Sequence, residues 1–254
     1  MKVALFSDIH ANIDALTPVL KDIEQRKPDA VYCLGDLVGY APYPNEVVEL
    51  IRSKGIPVIA GNYDQGVGLS SDDCGCAYKT PEDEARGVDS ITYTNRMISS
   101  GNRAYLRSLP AHLRLEFGVN GNPWNFLMVH GSPRKINEYL FEDRAEKSML
   151  RMMQKADTHV MAFGHTHKPY HKTIEDESGE IRHAINIGSV GKPKDGDPRA
   201  CYAMIEWDGD LDLNDKNDLK VEFIRVEYDV EQAAKAVEES PLPGEFADML
   251  RNGG

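Results

Sequence analysis

The sequence predicts an α/β fold in which two β-sheets are stacked between helices. Near the N-terminus, short apolar runs alternate with segments whose apolar residues recur at helical spacing, a pattern that favours parallel strands joined by right-handed crossovers. After residue 110 the apolar runs follow one another with few helical segments between them, so a second sheet is expected. We expect one domain over residues 1–254, without an internal repeat or linker.

Strands and helices alternate through the first part of the chain. Ile13, Leu16, Leu20 and Ile23 recur at helical spacing, and Pro44 suits the first turn of a second helix. The predicted elements, in order, are strand 2–8, helix 12–26, strand 30–36, helix 44–54 and strand 57–62.

The rest of the chain no longer alternates regularly between strand and helix. Residues 66–110 contain a loop and then one or two helices that end at Pro110, so we expect a small helical insertion there. A helix around 143–155 interrupts the later strands, and residues 230–254 are expected to form a late helix followed by a frayed or peripheral tail. The later strands are predicted at 113–117, 125–131, 159–165, 170–176, 183–190, 200–208 and 220–229.

Composition and charge limit the classes of function. The formal net charge of −12 repels polyanions at long range, so we expect no extended nucleic-acid surface, and a phosphorylated substrate would need a local positive group. Four cysteines in 254 residues are too few for a disulfide scaffold. We find no signal peptide and no apolar run long enough to cross a membrane, so a cytoplasmic protein without a membrane partner is expected.

Polar residues with metal-ligand chemistry follow five of the predicted strands, usually beside a glycine. In open α/β sheets ligands bind at the carboxyl ends of the strands, so these residues are expected to meet. In extended chain, residues i and i+2 point the same way, which would let Asp8 converge with His10 and His165 with His167. The full set is Asp8, His10, Asp36, Asn62, Asp64, His130, His165 and His167.

The chemistry of this set suits two metal ions. Imidazole and carboxylate ligands favour Mn, Fe, Zn or Ni over Ca or Mg. With Asp64 set aside and one carboxylate shared, the remaining side chains fit two ions about 3.5–4 Å apart, the arrangement used for in-line displacement at phosphorus. Each residue alone has a simpler explanation, since D-x-H is common in surface loops and His130 could be a core histidine. Their order and placement together favour the two-metal interpretation.

Several short motifs occur in an order that is typical of a known family. They are DIH (8–10), GD (35–36), GNYD (61–64), HG (130–131) and GHTH (164–167). The chain thereby resembles the calcineurin-like metallophosphoesterases, and the resemblance implies a four-layer α-β-β-α sandwich. Over about residues 2–208 it is most similar to the small bacterial and archaeal branch of that family, which includes many predicted phosphodiesterases and phosphatases.

The resemblance also implies a role for each matching residue. Asp36 would bridge the two ions, and a hydroxide held between them would attack phosphorus in line. Asn62 would help to stabilise the charge that grows on the phosphoryl oxygens. The implied ligands are Asp8, His10, Asp36 and His167 for one ion, and Asn62, His130, His165 and the shared Asp36 for the other.

Tyr63 is the one departure from the family's pattern, which has a histidine at this position as proton donor or phosphate contact. A phenol has a pKa of about 10, so it donates a hydrogen bond but is a weak acid near neutral pH. An alkyl alcohol would leave poorly without that acid, so we expect a phosphodiesterase or nucleotide-type hydrolase. Tyr63 and Asp64 are kept as catalytic candidates, although the role of Asp64 beside a tyrosine is open.

Other residues near the motifs allow two interpretations each. Arg134 could donate a pair of hydrogen bonds to phosphate oxygens, or it could be a surface arginine in a turn. The resemblance favours substrate contact. Cys74 and Cys76 are too close for a C-x-x-C motif and lack a second pair, so a loop with two thiols is the better interpretation. The loop follows GNYD closely, which would allow it to line the pocket. Cys33 and Cys201 are expected in the core. The histidines outside the motifs are expected to be structural or solvated, with His112 and His183 the two that could approach the site; all four are His112, His159, His171 and His183.

Three alternatives to a phosphodiesterase stay open. A phosphatase acting on phosphoserine or phosphothreonine would need an open groove, against which the insertion argues. A dinucleoside polyphosphate hydrolase would use Arg134 and the insertion to hold the phosphate chain. A non-catalytic scaffold is disfavoured by the complete ligand set. The expected partner is a small phosphorylated molecule, nucleotides included, and an oligomer is compatible with the sequence.

Overall fold

The computed structural model describes residues 1–118, 123–209 and 211–254. Among these residues, no helix combines the length and the apolar character needed to cross a membrane. The elements, in chain order, are β1 (Lys2–Phe6), α1 (Ile13–Arg26), β2 (Ala30–Cys33), α2 (Pro44–Ser53), α3 (Asn62–Gly68), α4 (Pro81–Met97), α5 (Ser100–Ser108), β3 (His112–Phe117), β4 (Trp124–Val129), α6 (Glu146–Lys155), β5 (Val160–Phe163), β6 (Tyr170–Glu175), β7 (Ile181–Asn186), β8 (Ala200–Glu206), β9 (Lys220–Val226), α7 (Val230–Glu238) and α8 (Glu245–Asn252).

The strands form two mixed sheets. One sheet has the order β2-β1-β8-β9, and the other has the order β3-β4-β5-β7-β6. The pair β1–β2 is parallel, as the alternation of strand and helix predicts, and so are β4–β5 and β5–β7. The late strand β8 pairs antiparallel with β1, so the first sheet combines the first two strands of the chain with its last two.

Both faces of the first sheet are buried. Along β1, Ala4 and Phe6 pack in the core that the sheet shares with α1 and α2. Val3 and Leu5 point the opposite way and contact the second sheet, where Phe126 of β4 lies in the same core. Side chains of a strand alternate between its two faces, so a strand buried on both sides is a continuous apolar run.

The outer face of the second sheet is covered by α6. Leu127 and Phe163 of that sheet share a core with Met149 and Met153 of the helix. The layers are therefore helix, sheet, sheet and helix, which confirms the predicted α-β-β-α sandwich.

The predicted strand at 57–62 is wrong. Within the described chain this segment forms one isolated bridge, between Cys33 and Val58. In that bridge the N–H of Cys33 donates to the carbonyl of Pro57, and the N–H of Ile59 donates to the carbonyl of Cys33, each at 3.0 Å. The pairing does not extend to the residues before it, because Pro57 has no N–H to donate. The chain then turns directly into α3, so Asn62 begins a helix instead of ending a strand.

The insertion contains the helices that the sequence predicts. They are α4 and α5, and the second ends shortly before Pro110. Thr80 caps α4 by accepting from the N–H of Asp83, and Ser99 caps α5 by accepting from the N–H of Asn102. Both helices pack against α2 and α3, so the insertion lies beside the helix that carries Asn62.

The prediction of a frayed or peripheral tail is also wrong. Helix α8 is well formed, and Phe246, Ala247 and Leu250 on one face of it are buried. It packs against α7, and the ring of Phe246 makes an edge-on contact with Tyr40, with ring centroids 5.1 Å apart. A helix this short has too few apolar positions for its period to be recognised without knowing what it packs against.

Replacing Phe246 with Ala is expected to lower the free energy of unfolding by about 3–5 kcal/mol, because the ring fills a packed space between α8 and Tyr40. Urea denaturation followed by circular dichroism measures this. Phe141→Ala is the matched control, since that ring is 46% exposed and its loss should change the free energy by about 0.5 kcal/mol or less. Equal small losses in both variants would show that α8 is peripheral.

Candidate metal centre

Five of the predicted ligands lie in left-handed backbone just beyond the strands. The φ angles are 55° for Asp8, 51° for His10, 54° for Asp36, 64° for His165 and 60° for His167. Residues other than glycine rarely adopt this conformation, and it is concentrated at functional sites. The sequence-based expectation that the D-x-H and H-x-H pairs converge in extended chain is therefore wrong in its geometry, although the side chains do meet.

Two glycines allow close approach to the carboxylates. A Cβ atom at Gly61 would overlap the carboxylate of Asp36, and a Cβ atom at Gly164 would overlap that of Asp8. The backbone N–H of Tyr63 donates to Asp36 Oδ1 at 2.9 Å, which leaves Oδ2 free to face the histidines. The glycines beside the ligands thus serve packing at the site, as the sequence indicates.

Asp8, His10 and His167 form the first cluster, and all three are buried. Asp8 Oδ1 lies 3.2 Å from His167 Nε2, and the Nε2 atoms of the two histidines are 3.1 Å apart. Their Nδ1 atoms contact carbonyl oxygens, of Val38 at 3.1 Å and of Lys192 at 2.5 Å. A carbonyl only accepts, so Nδ1 carries the proton in each ring. Two Nε2 lone pairs therefore face each other, which a cation between them would satisfy.

Asp36, His130 and His165 form the second cluster, which Asn62 adjoins. His130 Nδ1 contacts the carbonyl of Leu34 at 2.8 Å, so its Nε2 faces the site. That Nε2 lies 3.1 Å from Asn62 Oδ1 and 3.3 Å from Asp36 Oδ2. Both neighbours are acceptors, so Nε2 carries either a second proton or a metal ion.

Asp36 lies between the clusters. Its Oδ2 atom is 3.3 Å from His130 Nε2 and 3.7 Å from His10 Nε2. Two buried atoms beside it, Asp8 Oδ1 and His165 Nε2, have no hydrogen-bond partner among the described residues. Buried polar atoms are normally satisfied, so these atoms fit metal ligands. The donor set of imidazole, carboxylate and amide oxygen suits divalent transition metals.

The pKa values of the histidines agree with this arrangement. Burial lowers the pKa of His10 to about 3 and that of His165 to about 3, so both rings are neutral and able to bind a metal. Burial also lowers the pKa of His130, but the Asp36 carboxylate outweighs it and raises the value to about 10. Without a cation, His130 keeps a proton in the place that a metal ion would take, and metal binding would release that proton.

The Cys74–Gly75–Cys76 loop holds Asn62 in place. The Asn62 side-chain nitrogen donates to the carbonyl of Cys74 at 3.0 Å and to the sulfur of Cys76 at 3.3 Å. These contacts turn Asn62 Oδ1 toward His130. The two sulfurs lie 2.9 Å apart. The loop lines the site, as its nearness to the GNYD motif predicts, and it orients a candidate ligand.

Asp64 supports the loops beneath Asp36. Its Oδ1 accepts from the N–H of Leu37 at 2.9 Å, and its Oδ2 accepts from the N–H of Gly61 at 3.0 Å. Burial, with the charge of Asp36, raises the pKa of Asp64 to about 7. The structure therefore places Asp64 as a positioning residue for the Asp36 and Asn62 segments rather than facing the clusters.

Tyr63 is enclosed on the second position of α3. Its ring centroid lies 5.6 Å from that of His10 and 4.8 Å from that of Tyr40. Burial raises the pKa of Tyr63 well above 10, so the phenol stays protonated. Its hydroxyl has no hydrogen-bond partner in the described part of the chain. The residue is thus part of a helix against a ligand histidine, not of a glycine-flanked loop.

Arg134 lies on the surface. Its guanidinium forms an ion pair with Glu138, in which Nε donates to Oε2 at 3.1 Å, and its backbone N–H donates to Ser132. The charge that the sequence suggested for phosphate binding is therefore shared with a carboxylate. None of the contacts described for Arg134 involves a ligand of either cluster.

Three of the four remaining histidines have structural partners, whereas His112 is exposed at the start of β3, where it lines a cavity together with His130. His171 Nε2 and His183 Nδ1 lie 2.9 Å apart across β6 and β7, and His159 Nδ1 accepts from the N–H of Asn125 at 3.2 Å. Cys33 and Cys201 are buried, as expected for core residues.

The site includes residues that the sequence did not single out. Tyr139 lies against the ring of His165, with centroids 4.1 Å apart, and Tyr40 lies against His10 at 4.8 Å. Lys192 and the α8 helix reach the same edge of the site. The GKPK segment was a signal for the lysine, since its first charge follows an uncharged stretch, INIGSVG.

The chain belongs to the calcineurin-like phosphoesterase superfamily, whose domain model matches residues 1–210. An uncharacterized protein of Methanocaldococcus jannaschii is 35% identical over 264 residues, which cover 98% of this chain and 96% of that protein. A metallophosphoesterase from Sphaerobacter thermophilus is 30% identical, with a TM-score of 0.74 and coverage of 100% of this chain and 99% of that one. A hypothetical protein from Pyrococcus horikoshii OT3 is 26% identical, with a TM-score of 0.79 and coverage of 100% and 98%.

Replacing Cys76 with Ala is expected to weaken divalent metal binding at the second cluster by roughly tenfold, because Asn62 loses one of the two contacts that orient it. Titration of the apoprotein with Mn²⁺ or Zn²⁺ against a chelating indicator measures the affinity. Cys201→Ala removes a buried thiol from β8 and serves as the control. Equal affinities for the two variants would show that the Cys76 contact does not support the metal ligand.

Proposed function

We propose that this chain is a metal-dependent phosphoester hydrolase with two divalent ions, and that it prefers phosphodiesters or nucleotide-type substrates. The observation that supports it most is the pair of buried clusters that meet at Asp36. Within them, histidine Nε2 atoms face one another and face carboxylate and amide oxygens instead of donors. Membership of the calcineurin-like phosphoesterase superfamily supports the same reaction class.

The protein's own groups prepare the site. When bound, two cations supply an acidified water molecule as nucleophile and neutralise charge on the phosphoryl oxygens. The carbonyls of Val38 and Lys192 hold the imidazole rings of His10 and His167 with Nε2 turned inward. Such contacts fix the tautomer and raise the basicity of the ligand nitrogen. The N–H of Tyr63 donates to Oδ1 of Asp36, so the other carboxylate oxygen, Oδ2, faces both clusters.

The expected substrate preference follows from Tyr63. A phenol whose pKa is raised by burial is a weaker acid, so it contributes little as a general acid near neutral pH. Leaving groups that depart as stable anions do not need that proton. Diesters of phenols and nucleotide phosphates therefore fit this site better than alkyl monoesters.

The same donors limit the choice of metal. Imidazole, carboxylate and amide oxygen suit Mn, Fe, Zn or Ni. We propose Asp8, His10, Asp36 and His167 as ligands of one ion, with Asn62, His130 and His165 completing the second around Asp36. Arg134 keeps a proposed substrate role only if a ligand displaces Glu138 from its guanidinium.

The direct test is hydrolysis by the Mn²⁺- or Ni²⁺-loaded protein of bis(p-nitrophenyl) phosphate, p-nitrophenyl phosphate and phosphoserine. We expect the highest kcat/KM on the diester, loss of turnover after chelation, and about a thousandfold loss for Asp36→Asn, which removes the charge shared by both ions. A clear preference for phosphoserine would contradict the diester proposal. Two bound ions without turnover of any ester would favour the scaffold alternative.

Tyr63→His is expected to raise kcat/KM on alkyl monoesters at least about tenfold, because an imidazolium is a stronger acid than the buried phenol and can protonate the leaving alkoxide. Hydrolysis of bis(p-nitrophenyl) phosphate should change little, since nitrophenolate leaves without help. Tyr63→Phe keeps the ring and removes only the hydroxyl, so it is the matched control and should leave both rates within about threefold. A parallel change in both substrates would show that Tyr63 acts through packing alone.

A further inference from the structure

Cys74 and Cys76 place two thiols side by side in the loop between α3 and α4. Their Sγ atoms lie 2.9 Å apart, and both cysteines are free. An S–S bond is about 2.05 Å long, so the two sulfurs need to approach by less than about 1 Å to form one. The other two thiols, of Cys33 in β2 and Cys201 in β8, are buried in the core.

The turn at Gly75 holds the two cysteines in this position. Gly75 has a φ angle of 68°, in the left-handed region that favours glycine. The side chain of Asp73 accepts from the N–H of Gly75 at 2.7 Å, and the side chain of Asn137 donates to its carbonyl. A Cβ atom at position 75 would overlap the side-chain nitrogen of Asn137. The folded loop therefore keeps the sulfurs in contact, which lowers the entropy cost of joining them.

A cavity gives small molecules access to the pair. Both cysteines line a space of about 280 Å³ beside α4. Asp73 and Glu84 line the same space and are exposed, so the cavity reaches the surface of the protein. Thiols that an oxidant can reach, and that lie next to a second thiol, are the ones that oxidise reversibly, whereas buried core thiols are inert.

The pair also holds a candidate metal ligand. The Asn62 side-chain nitrogen donates to the carbonyl of Cys74 at 3.0 Å and to the sulfur of Cys76 at 3.3 Å. In this orientation Asn62 Oδ1 lies 3.1 Å from Nε2 of His130. Joining the sulfurs draws Cys76 Sγ toward Cys74 and requires a Cβ–S–S–Cβ angle of about 90°. The sulfur that Asn62 contacts therefore shifts, and the Asn62 oxygen is held less firmly toward the second cluster.

We propose that Cys74 and Cys76 are a modification site at which a reversible disulfide bond weakens metal binding at the second cluster. The reactant is a peroxide, which is small enough to enter the cavity beside the pair. The reduced pair then corresponds to the form that binds two ions firmly, and the oxidised pair to a form that holds one of them weakly. This inference goes beyond the proposed function, because it depends on metal binding at the second cluster and not on hydrolysis.

Hydrogen peroxide supplies the whole oxidation. One thiolate attacks a peroxide oxygen, the O–O bond breaks, and the sulfur becomes a sulfenic acid as the first water molecule leaves. The second sulfur attacks the sulfenic sulfur, the S–O bond breaks, and the second water molecule leaves with the remaining thiol proton. Two thiols are thereby oxidised to one disulfide while one peroxide is reduced to two water molecules. A dithiol such as dithiothreitol reverses the bond by exchange and is itself oxidised.

The test treats the reduced, metal-free protein with a small excess of hydrogen peroxide, which catalase then removes. Mass spectrometry of the tryptic peptide 55–79, which contains Cys74 and Cys76 and no other cysteine, should show the loss of two hydrogen atoms. Titration with Mn²⁺ against a chelating indicator should show about tenfold weaker binding of one of the two ions. Mn²⁺ is used because thiolates are poor ligands for it. Dithiothreitol should restore both the mass and the affinity.

Two variants separate the disulfide from other effects of the peroxide. Cys74→Ala removes one sulfur and keeps the backbone carbonyl that Asn62 contacts, so peroxide should leave the Mn²⁺ affinity of this variant unchanged. Cys201→Ala removes a buried thiol from β8 and is the matched control, which should respond to peroxide as the wild-type protein does.

Three results would overturn the proposal. They are an unchanged mass of the peptide, a disulfide bond that leaves Mn²⁺ affinity unchanged, and an equal loss of affinity in Cys74→Ala after peroxide. The first two are measured on the wild-type protein, so they decide the matter even if a variant does not fold. The test needs no turnover, so a protein that hydrolyses no ester would contradict the proposed function and not this inference.

Discussion

The structure depends on a set of buried hydrogen-bond acceptors that face other acceptors, with no donor between them among the described residues. His10 and His167 each commit Nδ1 to a carbonyl, and their Nε2 atoms then face each other at 3.1 Å beside the Asp8 carboxylate. Acceptors in a water-poor interior destabilise the fold unless a proton or a cation lies between them. His130 shows the proton solution, since Asp36 raises its pKa to about 10 despite burial. A divalent ion stabilises the site more than a proton does, because one ion binds several acceptors at once.

Much of the surrounding architecture keeps these acceptors together. Five candidate ligand residues follow the strands in left-handed backbone, which disfavours folding locally and is tolerated because the two sheets and their helices fix both ends of each loop. Asp64 ties two of these loops through backbone N–H groups, and the Cys74–Cys76 loop orients Asn62. Residues far apart in the chain thus support one another around Asp36.

Tyr63 and the charged residues near the clusters have surroundings that the sequence does not reveal. Tyr63 is enclosed on α3 beside His10. Arg134, which the sequence suggested for phosphate contact, is paired with Glu138, whereas Lys192 is buried with aromatic and thioether neighbours. Helix α8 provides two of those neighbours, so the C-terminal segment beyond the matched domain contributes to the site.

The amino-acid sequence is enough to predict the sandwich class, because apolar runs mark buried strands. It also singles out the candidate ligands, because residue type and order indicate ligand chemistry; they are Asp8, His10, Asp36, Asn62, His130, His165 and His167. It did not determine how those side chains converge, since left-handed backbone beyond a strand depends on tertiary hydrogen bonds. The same limit explains the errors at 57–62 and in α8. The segment that begins at Pro57 pairs with a single residue of β2 before the chain turns into α3, and the short helix α8 is recognisable only through its packing on Tyr40. The neighbours of Lys192, which are Met249 and Tyr40, are known only from the fold, because they lie far from it along the chain.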